Sequence, residues 1–288
     1  MISNDEFERL LAGMRPKLHR YCARMTGSTF DGEDVVQEVL IRAVGARSGG
    51  AQIDNVEGWL FRVAHNASLD LLRSRARANL VQLTEDTQTA SEESQPEAAA
   101  ISFRTFLELP VLQRCAVVLK DVLGHTIEEI AQIADCSAPA AKSALQRGRS
   151  RLRALVNRGA NEVGRPRLTD EERQRLLAFV GFFRAGDFDA IRRMLADDVR
   201  VDLVNRLQLE GRSKVSPYFT RYADAKHWRY AFGSVDGQAA MLVFDSNGVS
   251  DRPSHFVVID WTAGAISGIH DFFFASYVME GADWIRLD

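Results

Sequence analysis

The 288-residue chain is short of cysteine, has no long apolar run and carries no excess of positive charge. Its apolar stretches fall far below the roughly 20 residues that cross a bilayer as a helix, which excludes a helical membrane span and any expected membrane partner. The opening residues Met1-Ile-Ser-Asn-Asp-Glu6 lack the basic and apolar segments of a secretory leader, so the chain is expected to stay in the cytoplasm. Cys22, Cys115 and Cys136 are odd in number, far apart and without Cys-x-x-Cys spacing, which excludes a disulfide framework and a zinc site. Phosphate loops, activated-nucleophile motifs and metal-ligand spacings are missing too, so neither a cofactor nor an enzymatic activity is expected. The formal net charge of −3 argues against a chain that grips nucleic acid unaided.

What is present is segregated. Acids crowd residues 31–38 and 85–97, while arginines crowd residues 73–77 and 147–158. Local basic clusters can neutralise phosphates, and overall neutrality keeps the stand-alone affinity low, so DNA binding of this kind needs a partner.

The first segment, to about residue 78, reads as amphipathic helices. Leu10, Leu11, Met14, Leu18 and Tyr21 recur at helical spacing. Asp31 sits where an N-cap is expected, followed by the stripe Val35, Val36, Val39, Leu40 and Ala43. After the Gly49-Gly50 break, a long helix is expected over 56–77, apolar at Leu60, Ala64, Ala67 and Leu71 and polar at Arg62, Asn66, Asp70, Arg73 and Arg77. Trp59 beside that polar face suits unstacked bases, although a Trp near a helix start more often belongs to the core. Residues 79–100 are poor in apolar side chains and read as a flexible linker.

Helical periodicity resumes over 101–158. Gly124, the capping box Thr126-Ile-Glu-Glu129 and a second cap at Ser137 predict a helix, a tight turn and another helix, the layout of a helix-turn-helix. The second helix carries Lys142, Ser143, Gln146, Arg147, Arg149, Arg151 and Arg153, and no acid occurs between Lys142 and Arg158. Arg, Lys and Gln on such a helix can grip phosphates or read base edges in a major groove.

Beyond a second linker at 159–168, residues 169–288 change character. A capping box at Thr169 and Glu172 opens a helix, a second helix follows Gly186-Asp187, and a further one is expected over 214–223. Strands come afterwards, punctuated by turns at Asp236-Gly237, Asn247-Gly248 and Gly264, so an α+β domain with a curved sheet is expected. Its polar candidates are Asp202, Asn205, Arg206, His227, Asp245, His255, Asp260, His270 and Asp271. Strand parity separates His255 from Asp260 and His270 from Asp271, so neither couple forms a pair within one strand.

Together these segments resemble a known family. Asp31-Gly-Glu-Asp-Val-Val-Gln-Glu38 with Val39-Leu-Ile-Arg-Ala43, and Gly58-Trp-Leu-Phe-Arg-Val-Ala-His-Asn66 with Leu69-Asp-Leu-Leu-Arg73, resemble region 2 of bacterial sigma factors of the extracytoplasmic-function type. Leu109-Pro-Val-Leu-Gln-Arg114 and residues 126–153 resemble their region 4. More distantly, residues 184–199 resemble SnoaL-like domains of the nuclear-transport-factor-2-like superfamily. The resemblance implies a multidomain chain: two all-α sigma domains, then an α+β cone-shaped domain that regulates them and has a pocket for a small-molecule ligand.

It also implies roles. Asp31, Asp34, Gln37 and Glu38 would dock on the clamp helices of the β′ subunit of core RNA polymerase, and region 4 on its β flap. Trp59, Arg62, Asn66, Asp70, Arg73 and Arg77, with the 49–55 loop, would recognise the −10 element of promoter DNA. Ser137, Lys142, Ser143, Gln146, Arg147, Arg149 and Arg151 would read the −35 element. Two alternatives stay open: a ligand-responsive helix-turn-helix regulator that never joins polymerase, and a sigma factor whose C-terminal domain is a working enzyme.

Overall fold

A computed structural model describes residues 4–82, 103–157, 166, 168–225, 227–248 and 250–288. The linkers expected at 79–100 and 159–168 lie largely outside the described residues. The chain divides into two compact units, Met1–Glu162 and Val163–Asp288.

The first unit is helical: α1 (Asn4–Thr26), α2 (Thr29–Ser48), α3 (Val56–Gln82), α4 (Phe103–Leu107), α5 (Val111–Val117), α6 (Ile127–Ile133) and α7 (Ala138–Asn157), with a wider-wound turn at Val118–Val122. Leu11, Met14, Leu18, Tyr21 and Met25 of α1 are buried against Val36, Val39 and Ala43 of α2 and Leu60, Phe61 and Ala64 of α3. One boundary differs from expectation. Gly27, at φ 77, ends α1, and Ser28 caps α2 by accepting the Asp31 amide, so Asp31 lies inside the first turn instead of capping it.

The two helical segments, expected as separate domains, share one core. The Tyr21 hydroxyl lies 2.7 Å from His65 Nδ1 and 3.4 Å from Cys115 Sγ. The Phe61 and His125 rings meet edge to face at 4.8 Å. Arg114, almost wholly buried, donates to the carbonyls of Met25, Leu107 and Leu109. A helix end leaves such carbonyls without intrahelical partners, and here a guanidinium from α5 satisfies the end of α1. Periodicity reports that a helix has an apolar face but not which helix covers it, so this joint core was not predictable from the stripes.

The second unit opens with α8 (Asp170–Ala185), started by the Thr169–Glu172 capping box and stopped by left-handed Gly186, and continues with α9 (Phe188–Met194). Next come β1 (Leu195–Leu203), β2 (Leu207–Glu210), α10 (Arg212–Val215) and α11 (Tyr218–Asp224). The single helix expected over 214–223 is thus two, interrupted at Ser216-Pro217, since Pro217 brings no amide donor and a rigid ring. The sheet is completed by β3 (Trp228–Val235), β4 (Gln238–Asp245), β5 (His255–Thr262), β6 (Ala265–Asp271) and β7 (Trp284–Arg286). Strand order is β2-β1-β6-β5-β4-β3-β7, antiparallel except for β1 beside β6.

Asp236-Gly237 and Ala263-Gly264 have positive φ at both positions, the turn that lets two strands fold back at once. Asn247-Gly248 instead begins a longer connection from β4 to β5. Phe179, Val180, Phe183, Ile191 and Phe219 of the helices bury themselves on Val201, Phe232, Met241, Val257 and Ile269 of the sheet.

Candidate functional site

Three helices of the first unit present the sequence-derived candidates. On α2, Asp34, Gln37 and Glu38 are exposed, and Glu38 pairs with Arg42 one turn on. The same stripe continues through Ile41 and Val44, which are 66% and 51% exposed. Sequence reasoning missed that these two large branched side chains stand in water beside the acids. The signal was available: both fall outside the buried positions 36, 39 and 43. Asp31 is the exception among the four expected docking residues. It is 6% exposed and accepts a bidentate pair from Arg75, so its carboxylate ties α2 to α3 and does not face outward. Glu33 is likewise buried, against Arg15 of α1.

On α3, Arg62, Asn66, Asp70, Arg73 and Arg77 share an exposed face, while Phe61, Ala64, His65 and Ala67 face inward. Asp70 and Arg73 pair at 3.2 Å. Burial holds the His65 imidazole below its ordinary pKa, in keeping with the inner side of the helix. Trp59 is half-buried against the core and, with Arg62, lines a cleft of about 520 Å3 between α6 and the 51–55 loop with the start of α3. An indole edge beside a free guanidinium can stack and neutralise a single-stranded nucleotide.

The helix-turn-helix is built as its caps predict. Thr126 and Glu129 cap each other reciprocally, and those hydrogen bonds hold the Glu129 carboxyl below its usual range. Ser137 accepts the Ala140 amide at the start of α7. Ala141, Ala144, Leu145 and Gly148 face inward, where a side chain at Gly148 would meet the Gln113 carbonyl at 2.9 Å. Lys142, Gln146, Arg147 and Arg151 are exposed, and Arg147 donates to Ser143 at 2.7 Å. Arg149 is placed differently: it pairs with Asp121 through two nitrogens, at 2.9 and 2.5 Å, bracing α7 against the preceding turn.

The second unit keeps His255 from Asp260 and His270 from Asp271, and instead couples these four residues crosswise between the neighbouring strands β5 and β6. β5 and β6 are antiparallel, with Val257 opposite Asp271 and Val258 opposite His270. Inside, fully buried Asp271 accepts hydrogen bonds from Tyr218 at 2.9 Å, Tyr222 at 2.8 Å and the Phe273 amide at 2.8 Å. His255 Nε2 lies 3.0 Å from the Tyr222 hydroxyl, and burial lowers its pKa to about 4. Burial and the Asp271 charge push both tyrosines well above their ordinary values.

Outside, His270 pairs with Asp260 at 2.8 Å, and Asp202 stands 4.0 Å from the same ring. The other polar candidates are scattered: Asn205 donates to Phe274, Arg206 lies over the Phe274 ring, Asp245 accepts from Asn247, and His227 meets Trp228 at 4.2 Å. Among the described residues, no group of three or more His, Cys, Asp or Glu is arranged to hold a metal ion, and no helix is long and apolar enough to cross a membrane. The inner cluster spends its hydrogen bonds on itself.

Comparison with known proteins fits the helical unit. The model of Sigma-70 region 2 matches residues 10–78, and that of Sigma-70, region 4 matches residues 104–152. The chain is similar to ECF RNA polymerase sigma factor SigM of Mycobacterium tuberculosis, 34% identical over 160 residues that make up 54% of this chain and 81% of that protein. It is also similar to ECF RNA polymerase sigma factor SigG of the same species, 32% identical over 207 residues, 62% of this chain and 55% of that protein. It thus spans about half the length of SigG. A solved structure, the extracytoplasmic function sigma factor SigJ of M. tuberculosis, covers 93% of this chain and 95% of its own, at 19% identity and a TM-score of 0.37.

Proposed function

The chain belongs to the ECF RNA polymerase sigma factors, and from that premise we propose that it binds core RNA polymerase and directs it to promoter DNA. The observation that carries this reading is the pair of exposed polar faces on α3 and α7, one in each family-matched region, in a chain whose net charge is too low for strong unaided DNA binding. Asp34, Gln37 and Glu38, joined by Ile41 and Val44, dock on the β′ clamp helices; acids supply steering and the apolar pair supplies burial. Asp31 supports that surface from behind through Arg75.

The face Arg62, Asn66, Asp70, Arg73 and Arg77, with Trp59 and the cleft beside it, holds the opened −10 strand. Lys142, Ser143, Gln146, Arg147 and Arg151 read the −35 element, Ser137 fixes the start of their helix, and Arg149 fixes its angle. Region 4 also meets the β flap.

For the second unit we propose a SnoaL-like, cone-shaped domain at residues 169–288 that regulates the sigma domains at 1–78 and 101–158. Helices packed on a mostly antiparallel seven-stranded sheet support it. The convergent acids of an enzyme do not: Asp271 is fully buried and bound by three internal donors.

The test is complex formation with purified core polymerase on a sizing column, using the full chain. A stoichiometric complex is expected. A chain that stays free of active core yet binds DNA alone would favour the ligand-responsive regulator instead.

A further inference from the structure

The second unit has a cleft that neither the docking nor the promoter role uses. It measures about 730 Å3 and lies along one edge of β3, beneath the end of α8. Its origin is a strand that stops short. β7 pairs with β3 only at Gly233, Ser234 and Val235, so the edge of β3 away from β4 has no strand beside it from Trp228 to Ala231 among the described residues. The volume falls within the range of small-molecule sites.

Aromatic and charged side chains line it together. Arg229 and Phe244 stand opposite each other on β3 and β4, and the guanidinium lies 5.9 Å from the Phe244 ring centre. Trp284 meets the same ring at 6.2 Å and 78°. Three arginines reach the cleft, but two are already engaged: Arg184 and Arg286 share the Asp288 carboxylate, and Arg184 also donates to the Tyr230 carbonyl at 2.9 Å. Arg229 has no ion pair among the described residues, and Asp251, the acid of the lining, makes none with it. Three guanidiniums against the carboxylates of Asp288 and Asp251 leave one positive charge beside an aromatic floor, which suits a ligand of single negative charge and disfavours a dianion.

We propose that this cleft binds a flat aromatic monocarboxylate, its ring against Phe244 and Trp284 and its carboxylate on the Arg229 fork. Guanidinium matches carboxylate in a planar, two-bond geometry, which separates this ligand class from neutral aromatics of the same shape. The inference gives the regulatory domain a ligand class, yet binding here is independent of the polymerase role, so the two can fail separately.

Isothermal titration of the full chain with 2-naphthoate, and with neutral 2-naphthamide, tests it. Naphthoate is expected to bind with Kd below about 1 mM, and the amide about tenfold more weakly. Arg229 is exposed, so R229Q should fold normally; it is expected to weaken naphthoate about tenfold and leave the amide unchanged. W284A should weaken both. Absence of naphthoate binding, equal binding of the amide, or indifference to R229Q in a variant with an unchanged melting temperature would each overturn the proposal.

Discussion

The two units place their polar groups in opposite directions. In the helical unit, acids of α2 and bases of α3 and α7 stand outward in stripes, over a core punctuated by Arg114 and the Tyr21–His65 contact. In the sheet unit, a carboxylate, an imidazole and two tyrosine hydroxyls meet inside, while the neighbouring couple of His270 and Asp260 stands on the surface. An outward charge costs the fold little and stays accessible to a partner. An inward one is committed to the fold and is costly to lose. Charge changes should therefore act on binding in the first unit and on stability in the second.

The strongest challenge to that contrast is a charge reversal on α2. Replacing Asp34 and Glu38 together by Lys is expected to abolish co-purification with core polymerase while moving folding stability by less than about 1 kcal/mol. Undiminished co-purification would remove the outward acids from the docking surface. In the other unit, D271A should cost about 3 kcal/mol or more, because two buried hydroxyls and an amide lose their acceptor. D260A, on the outer face, should cost less than about 1 kcal/mol. Urea unfolding of the full chain compares them, and equal losses would erase the inside–outside distinction.

One feature is common to both units and gives a matched pair. His19 in α1 and His255 in β5 are each held by burial at a pKa of about 4. The unfolded chain protonates these imidazoles near pH 6.5, whereas the folded chain excludes the proton down to about 4. Their stabilisation is therefore complete above pH 6.5 and lost as pH falls through that window, by about 3 kcal/mol for each. Unfolding free energies from pH 7 to pH 4 check it: H19Q and H255Q should each flatten the slope, and an unchanged slope would contradict the assignment.

The smallest expected effects separate two neighbours on α7. R147A should weaken −35 recognition by roughly 1–3 kcal/mol and relax its sequence preference. R149A, which removes the exposed brace to Asp121, should lower stability by about 1 kcal/mol or less and leave the preference intact. Promoter-variant binding by the polymerase complex distinguishes them, and identical preferences for R147A and the parent chain would take Arg147 out of the reading set.

How much of this was legible depends on the element. Helix stripes repeat along one segment, so the exposed faces of α3 and α7, the caps at Thr126 and Thr169, and the outward Asp34, Gln37 and Glu38 could be read directly. Asp31 and Arg149 each have a partner far along the chain, Arg75 and Asp121, which periodicity does not reveal. In the sheet unit, parity correctly kept His255 from Asp260 and His270 from Asp271, but the couples that form are crossed between strands. Only the β5–β6 register creates them. The split at Pro217 was readable in principle, since proline inside a predicted helix is a break.

The most direct test of the central claim is promoter-directed transcription from genomic fragments, with purified core polymerase, the full chain and transcript ends mapped to the nucleotide. Starts that share a paired upstream sequence, absent with core alone and lost in the Asp34/Glu38 charge reversal, are the predicted result. Failure to initiate at specific sites, with a core preparation shown active by another sigma factor, would contradict it.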